Sequence, residues 1–214
     1  MKIPILWVKA CLFLLSFTFF VSCEKKDSSP TQTNSQDTTQ VIWTESNHDS
    51  IIIDLTKQVL TVIKNKDLTL LAEYIHPNLG LRFSPYAYVD TLNHMKFTRD
   101  QFLNGLKDKK EFTWGHYDGN GSNIVLHMEG YFGRFVYDHD FLAPEKLSLN
   151  VAIGHGNSAD NLKQIYPVSD FTESYFSGFD PKFEGMDWSS LRLVFHKYEN
   201  KYYLIGIVHD QATV

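Results

Sequence analysis

Cysteine is almost missing from this sequence. Two occur in 214 residues, Cys11 and Cys23, and both precede the part that reads as a folded domain. That excludes a disulfide framework, a cysteine nucleophile and a Cys-ligated zinc site in the domain. Clustered Lys and Arg are missing too. The formal net charge is −5 and no long basic run occurs, so nucleic acid is not an expected partner. GxSxG, HExxH and GxxxxGK[ST] are all absent, which removes the sequence basis for a serine hydrolase elbow, a zinc protease or a phosphate loop.

What is abundant is aromatic. The chain carries 16 Phe and 11 Tyr, a bias that suits sheets better than helical bundles. The first 22 residues are of another kind. Lys2 and Lys9 give a positive start, Ala10 to Val21 form an apolar run, and Ser22-Cys23 follows at once. This is the three-part layout of a secretory signal, residues 1–22. An uncleaved anchor is the alternative, since Ile3 to Ser22 is about long enough to span a bilayer. Lys9 interrupts that run, and the Ser-Cys edge has no purpose in a plain anchor. The expected mature chain loses Lys2 and Lys9, taking its formal charge from −5 to −7.

A cysteine at such a cut point resembles the lipobox of bacterial lipoproteins, although Phe20 stands where Leu is usual. The resemblance implies that Cys23 is lipidated and becomes the first residue of the mature chain. It implies a membrane-anchored protein of the bacterial cell envelope, outside the cytoplasm. Residues 24–46 are rich in Ser, Thr, Gln, Asn and Asp. Such composition buries too little apolar area to fold, so 23–46 is expected to be a lipidated tether and 47–214 a single domain.

Within that domain, Ile52, Ile53, Val59, Leu60, Val62 and Ile63 recur at helical spacing, with Asp49 placed as N-cap. Asn65-Lys66-Asp67 breaks this helix, and Asp67 caps a second over Leu68 to Ile75, ended by His76-Pro77. Thr98-x-x-Gln101 reads as a capping box, with Phe97 stapled to Phe102. After Gly105 the period becomes two. The expected strands are 111–117, 123–129, 134–137, 147–153, 171–176, 191–198 and 202–209, the last two forming a hairpin about Glu199-Asn200-Lys201.

Leu191, Leu193 and Phe195 alternate with Ser190, Arg192 and Val194, and Tyr203, Ile205 and Ile207 alternate with Leu204, Gly206 and Val208. One apolar face of this hairpin is expected to cover Val59, Ile63 and Leu71, with Gly206 marking a bend. Helices followed by an antiparallel sheet define an α+β fold. The element order resembles the cone of nuclear transport factor 2 (NTF2) and ketosteroid isomerase, which implies a curved antiparallel sheet around the helices and a pocket at its wide end. HPNLGLRFSPYAYV (76–89), FVYDHDFLAP (135–144), GHGNS (154–158), GMDWSSLRLVF (185–195) and YYLIGIVHDQAT (202–213) resemble a family of bacterial exported proteins and lipoproteins. That resemblance attaches no activity to the chain.

The expected pocket lining is His76, Arg82, Tyr86 and Asp210. Arg82 suits a carboxylate ligand, or else braces the sheet by pairing with Asp170, Glu173 or Asp210. Asp138 and Asp140 on one strand face, with His139, form an incomplete metal set; the other reading is a polar strand end. The GHGNS turn containing His155 offers N–H groups to an anion, or simply needs positive φ at two glycines. His209 has the look of a general base, but Asp210 points to the opposite face and no nucleophile is at hand. No metal or cofactor is expected. Two functions stay open. One is a non-enzymatic module that binds a small ligand or an envelope protein; the other is an acid–base enzyme using His and Asp in an NTF2-like pocket. The aromatic strands favour the first.

Overall fold

The computed structural model describes residues 45–213, with side chains from Asn47 onward. The expected signal peptide, Cys23 and nearly all of the tether lie outside the described residues. Helix α1 runs Glu45–Lys64, and its stripe of Ile52, Val59, Leu60 and Ile63 is buried. It starts four residues before Asp49, so Asp49 is no N-cap; its carboxylate accepts from His48 Nδ1 at 3.1 Å. Lys66 turns the chain at φ +58°, and Asp67 caps α2, Leu68–Leu71, by accepting from Leu70 N at 3.0 Å. The single helix expected to Ile75 is in fact α2 plus one 3₁₀ turn, Ala72–Tyr74. Ile75 is pulled into extended geometry by a parallel bridge to Leu204, and His76 N donates to Leu204 O at 3.1 Å.

The chain continues through β1 (Leu81–Ser84), β2 (Lys96–Phe97), α3 (Arg99–Asp108), β3 (Phe112–His116), β4 (Asn123–Leu126) and α4 (Met128–Phe135). It ends with β5 (Lys146–Leu149), α5 (Leu162–Ile165), β6 (Asp170–Phe176), β7 (Ser189–Tyr198) and β8 (Lys201–Gln211). Both halves of the Thr98–Gln101 capping box are present at α3, and Phe97 meets Phe102 at 6.3 Å between ring centres. The strand expected over 134–137 is instead the end of α4 and the turn that follows it. Met128, Tyr131, Phe132 and Phe135 are buried at i, i+3, i+4 and i+7, a helical period that the aromatic alternation disguised. The strand from Asn123 accordingly stops at Leu126. β5 stops at Leu149 rather than Ile153, because Asn150 turns the chain at φ +60°.

The domain is α+β, with a six-stranded sheet ordered β2-β1-β8-β7-β6-β5 and a two-stranded sheet β3-β4. The large sheet is mixed, not antiparallel as expected. β5 to β8 form an antiparallel meander, but β1 lies parallel to β8 through Arg82↔Gly206, Phe83↔Ile207 and Ser84↔Val208. Residues 85–200 supply the long crossover that a parallel pair requires.

One sheet face carries α1 to α4. There Val59, Ile63 and Leu71 pack with Leu191, Leu193, Phe195, Leu204 and Ile207, as the helix stripe and β7 predicted. Phe83 centres an aromatic plug, with Phe97, Phe102, Trp114, Tyr131 and Phe132 all within 6.2 Å between ring centres. The opposite face has its own small core of Val89, Leu162, Phe171, Val194, Ile205 and Val208 under α5. A bulge divides β8 between the two faces. Val194 pairs Gly206 but Phe195 pairs Leu204, leaving Ile205 without a partner. The even alternation expected of Tyr203, Ile205 and Ile207 therefore fails: Leu204 and Ile207 share the helix side, and Ile205 faces away. Gly206 stands at the irregularity, as anticipated.

Candidate functional site: a buried ionic cluster and an outer cleft

The four residues expected to line one pocket are placed in separate surroundings. Tyr86 packs beside Phe135 at 5.9 Å, where burial raises its phenol pKa. His76 is buried; its Nδ1 accepts from Asn78 N at 3.1 Å and Leu79 N at 3.0 Å, fixing the turn. The proton consequently sits on Nε2, which is buried without a hydrogen-bond partner. Burial, then His196 and Lys96, lower the His76 pKa, so the ring stays neutral. Arg82 and Asp210 occupy two further sites.

Asp210 belongs to a cluster built around an arginine that sequence reasoning passed over. Arg192 lies on β7 with its side chain 0% exposed. Its Nη1 donates to Asp160 Oδ2 at 3.1 Å and its Nη2 to Gly154 O at 3.0 Å. Glu173 Oε1 lies 3.4 Å from Nε and Asp210 Oδ2 3.6 Å from Nη2. Glu173 is the cross-strand partner of Arg192 and is itself fully buried. The signal available in the sequence was an acid in one strand, Glu173, and a base between leucines in the next, Arg192. Without the β6–β7 register that pair could not be matched.

The loop over this cluster answers the question raised by GHGNS. Its N–H groups do cradle an anion, but the anion is internal: Ile153 N and Gly154 N both donate to the Glu173 carboxylate. Neither Gly154 nor Gly156 has the positive φ expected of it. They are glycines for closeness. A Cβ at Gly154 would stand 2.6 Å from Trp188 Cζ3 and 3.0 Å from Glu173 Oε1, and one at Gly156 would stand 3.1 Å from Asp210 Oδ1. His155 points outward and is exposed. Burial pushes the Asp210 pKa up to about 6, against the pull of Arg192 and His209.

His209 sits on the helix side, so it and Asp210 face opposite ways as expected. Its Nδ1 lies 3.3 Å from Pro85 O, while Nε2 meets both Ser189 Oγ at 3.2 Å and Asp138 Oδ2 at 3.3 Å. A serine–histidine–carboxylate relay needs serine and carboxylate on different ring nitrogens. Here both crowd Nε2, and Ser189 and His209 are buried. Burial raises the Asp138 pKa, but His209 and His139 outweigh it and hold the carboxyl below its usual range. Asp138 and Asp140 do not share a strand face. They follow the end of α4 and diverge, Asp140 pairing with Lys64 Nζ at 2.6 Å. Among the described residues, no three His, Cys, Asp or Glu side chains are grouped to hold a metal ion.

Arg82 lines a cleft of about 290 Å³ on the sheet face away from α1. Lys96, His196, Tyr166, Leu79, Val168 and Ile205 line it too. The carboxylates expected to brace Arg82 are occupied elsewhere: Asp170 takes His48 Nε2 at 3.0 Å, and Glu173 and Asp210 belong to Arg192. Arg82 Nη1 instead donates to His94 O at 3.0 Å and Asp90 O at 3.3 Å. No family model matches the chain, and no characterised protein or solved structure matches it.

Proposed function

We propose that the chain is a bacterial lipoprotein, anchored through Cys23, whose domain binds a small ligand or an envelope partner without catalysis. The domain is a variant of the NTF2-like cone; the helices on one face and the bulge beside Gly206 support that architecture. One observation carries the binding reading. The helix side of the sheet, where such a cone would hold a substrate, is filled by Phe83 and the rings around it, with Trp114 stacked on Tyr131 at 3.9 Å. The ligand site is then the outer cleft at Arg82, not the interior.

The acid–base alternative has one feature in its favour, the raised pKa of Asp210. A general base must reach the proton it takes. Asp210 is 1% exposed and His209 0%, and each is engaged by protein groups. Anchoring is tested by replacing Cys23 with Ser and fractionating cells. Wild-type protein is expected with the membranes, and the variant in the soluble extracytoplasmic fraction. A wild-type chain that carries no lipid and keeps residues 1–22 at its N-terminus identifies them as a plain anchor instead.

A further inference from the structure

Arg82 on β1 and Lys96 on β2 are direct cross-strand partners. Like charges opposite one another in an antiparallel pair repel. Natural sheets usually relieve this with a carboxylate, yet among the described residues neither cation has an acidic partner. The acid nearest Arg82 in sequence, Asp90, spends its carboxylate on Leu92 N, Asn93 N and the Asn93 amide. His196 comes from β7 to the same cleft, its Nδ1 against Ser169 Oγ at 2.9 Å. In a chain of net charge −5, two cations and a histidine therefore converge on one hollow, and among the described residues no carboxylate pairs with either cation.

The guanidinium is also held ready. Two carbonyls fix Nη1, and the Tyr166 hydroxyl sits beside the group, so little ordering remains on binding. The rest of the lining is apolar. Leu79, Ile165, Pro167 and Ile205 form the walls, and Val168 is 81% exposed at the rim. A bare inorganic anion would leave that surface wet. A molecule with an acidic head and a short hydrophobic body would satisfy both parts. The geometry points to this cleft as a binding site for small organic carboxylates with an apolar body. This inference rests on the non-catalytic binding reading above and names the ligand class of the same site.

Calorimetric titration of the full-length chain in detergent micelles, with micelles alone as control, tests it. The probes are benzoate, hexanoate, neutral benzamide and inorganic phosphate. Either acid should saturate, with benzamide about tenfold weaker, a difference worth about 1.4 kcal/mol. Two exposed variants localise the site without disturbing the Arg82 loop. Lys96→Gln and Val168→Asp should each weaken the acid by about threefold without lowering the melting temperature, as surface substitutions do. Equal binding of benzoate and benzamide would overturn the anion requirement and leave a binding module standing. Acid binding indifferent to both variants would move the site elsewhere. Saturation by phosphate alone would overturn the carboxylate class. No saturation by any probe would overturn the cleft and count against the binding reading itself.

Discussion

At the scale of single residues, the decisive side chain is Arg192. A buried charge is tolerable only when paired, and removing one partner leaves the others stranded. Arg192→Met is expected to cost about 3–5 kcal/mol in urea denaturation, because Glu173 and Asp160 would lose the cation that both contact. A loss below about 1 kcal/mol would mean that water already reaches the cluster. Asp210 adds a pH dependence of known sign. Burial lifts its pKa from 3.8 to about 6, so the folded state holds this proton more tightly than the unfolded chain. The stability from this group is full below pH 3.8 and is lost as pH rises through 6. His94 works the other way. Burial lowers it from 6.5 to about 4, so its contribution is full above pH 6.5 and is lost as pH falls toward 4. The two slopes oppose each other between pH 4 and 6 and mask one another in the intact protein. Asp210→Asn removes the first. Its stability relative to the parent should rise from pH 4 to pH 7 by up to ~3 kcal/mol, and a pH-independent difference would refute a protonated Asp210.

At the scale of elements, the β8 bulge sets which core each residue joins. Ile205 is the extra residue, and the shift lets one strand feed Leu204 and Ile207 to the helix side while Ile205 and Val208 serve the other face. Gly206 makes this possible, because a Cβ there would lie 3.1 Å from Val194 Cγ2 and 3.2 Å from Val194 Cβ. Gly206→Ala should therefore destabilise by about 1–3 kcal/mol in urea denaturation. Gly133, inside α4, is the internal contrast, since a Cβ there meets nothing within 4 Å. Gly133→Ala should stabilise by about 0.5–1 kcal/mol through helix propensity. Equal effects at the two positions would mean that contact with Val194 does not govern the bulge.

At the scale of the whole molecule, the described residues fall within one compact unit, and its first helix begins at Glu45. Composition assigns the segment before it to tethering, with little apolar area to contribute. Chains starting at Glu24 and at Thr44 should then melt within about 2 °C of each other. A drop of many degrees in the shorter chain would mean that the segment packs on the domain.

The sequence by itself determined the features that rest on spacing within a few residues. The α1 stripe, the Asp67 cap, the Thr98–Gln101 box and the β7–β8 hairpin are all local, since each depends on neighbours one or two turns away. Periodicity failed where two periods fit the same residues, as at Phe135 and Tyr137, and where a strand was too short to show any period, as at Leu81–Ser84. The tertiary structure alone decided the parallel seat of β1, the shift at Ile205 and the site chemistry. Arg192 meets Glu173 through strand register and Asp160 through a loop 32 residues away in the chain. Arg82 and Lys96 become neighbours only when β1 and β2 pair. Charges find or lack their partners through distances in space, and those are fixed only once the sheet has set its register.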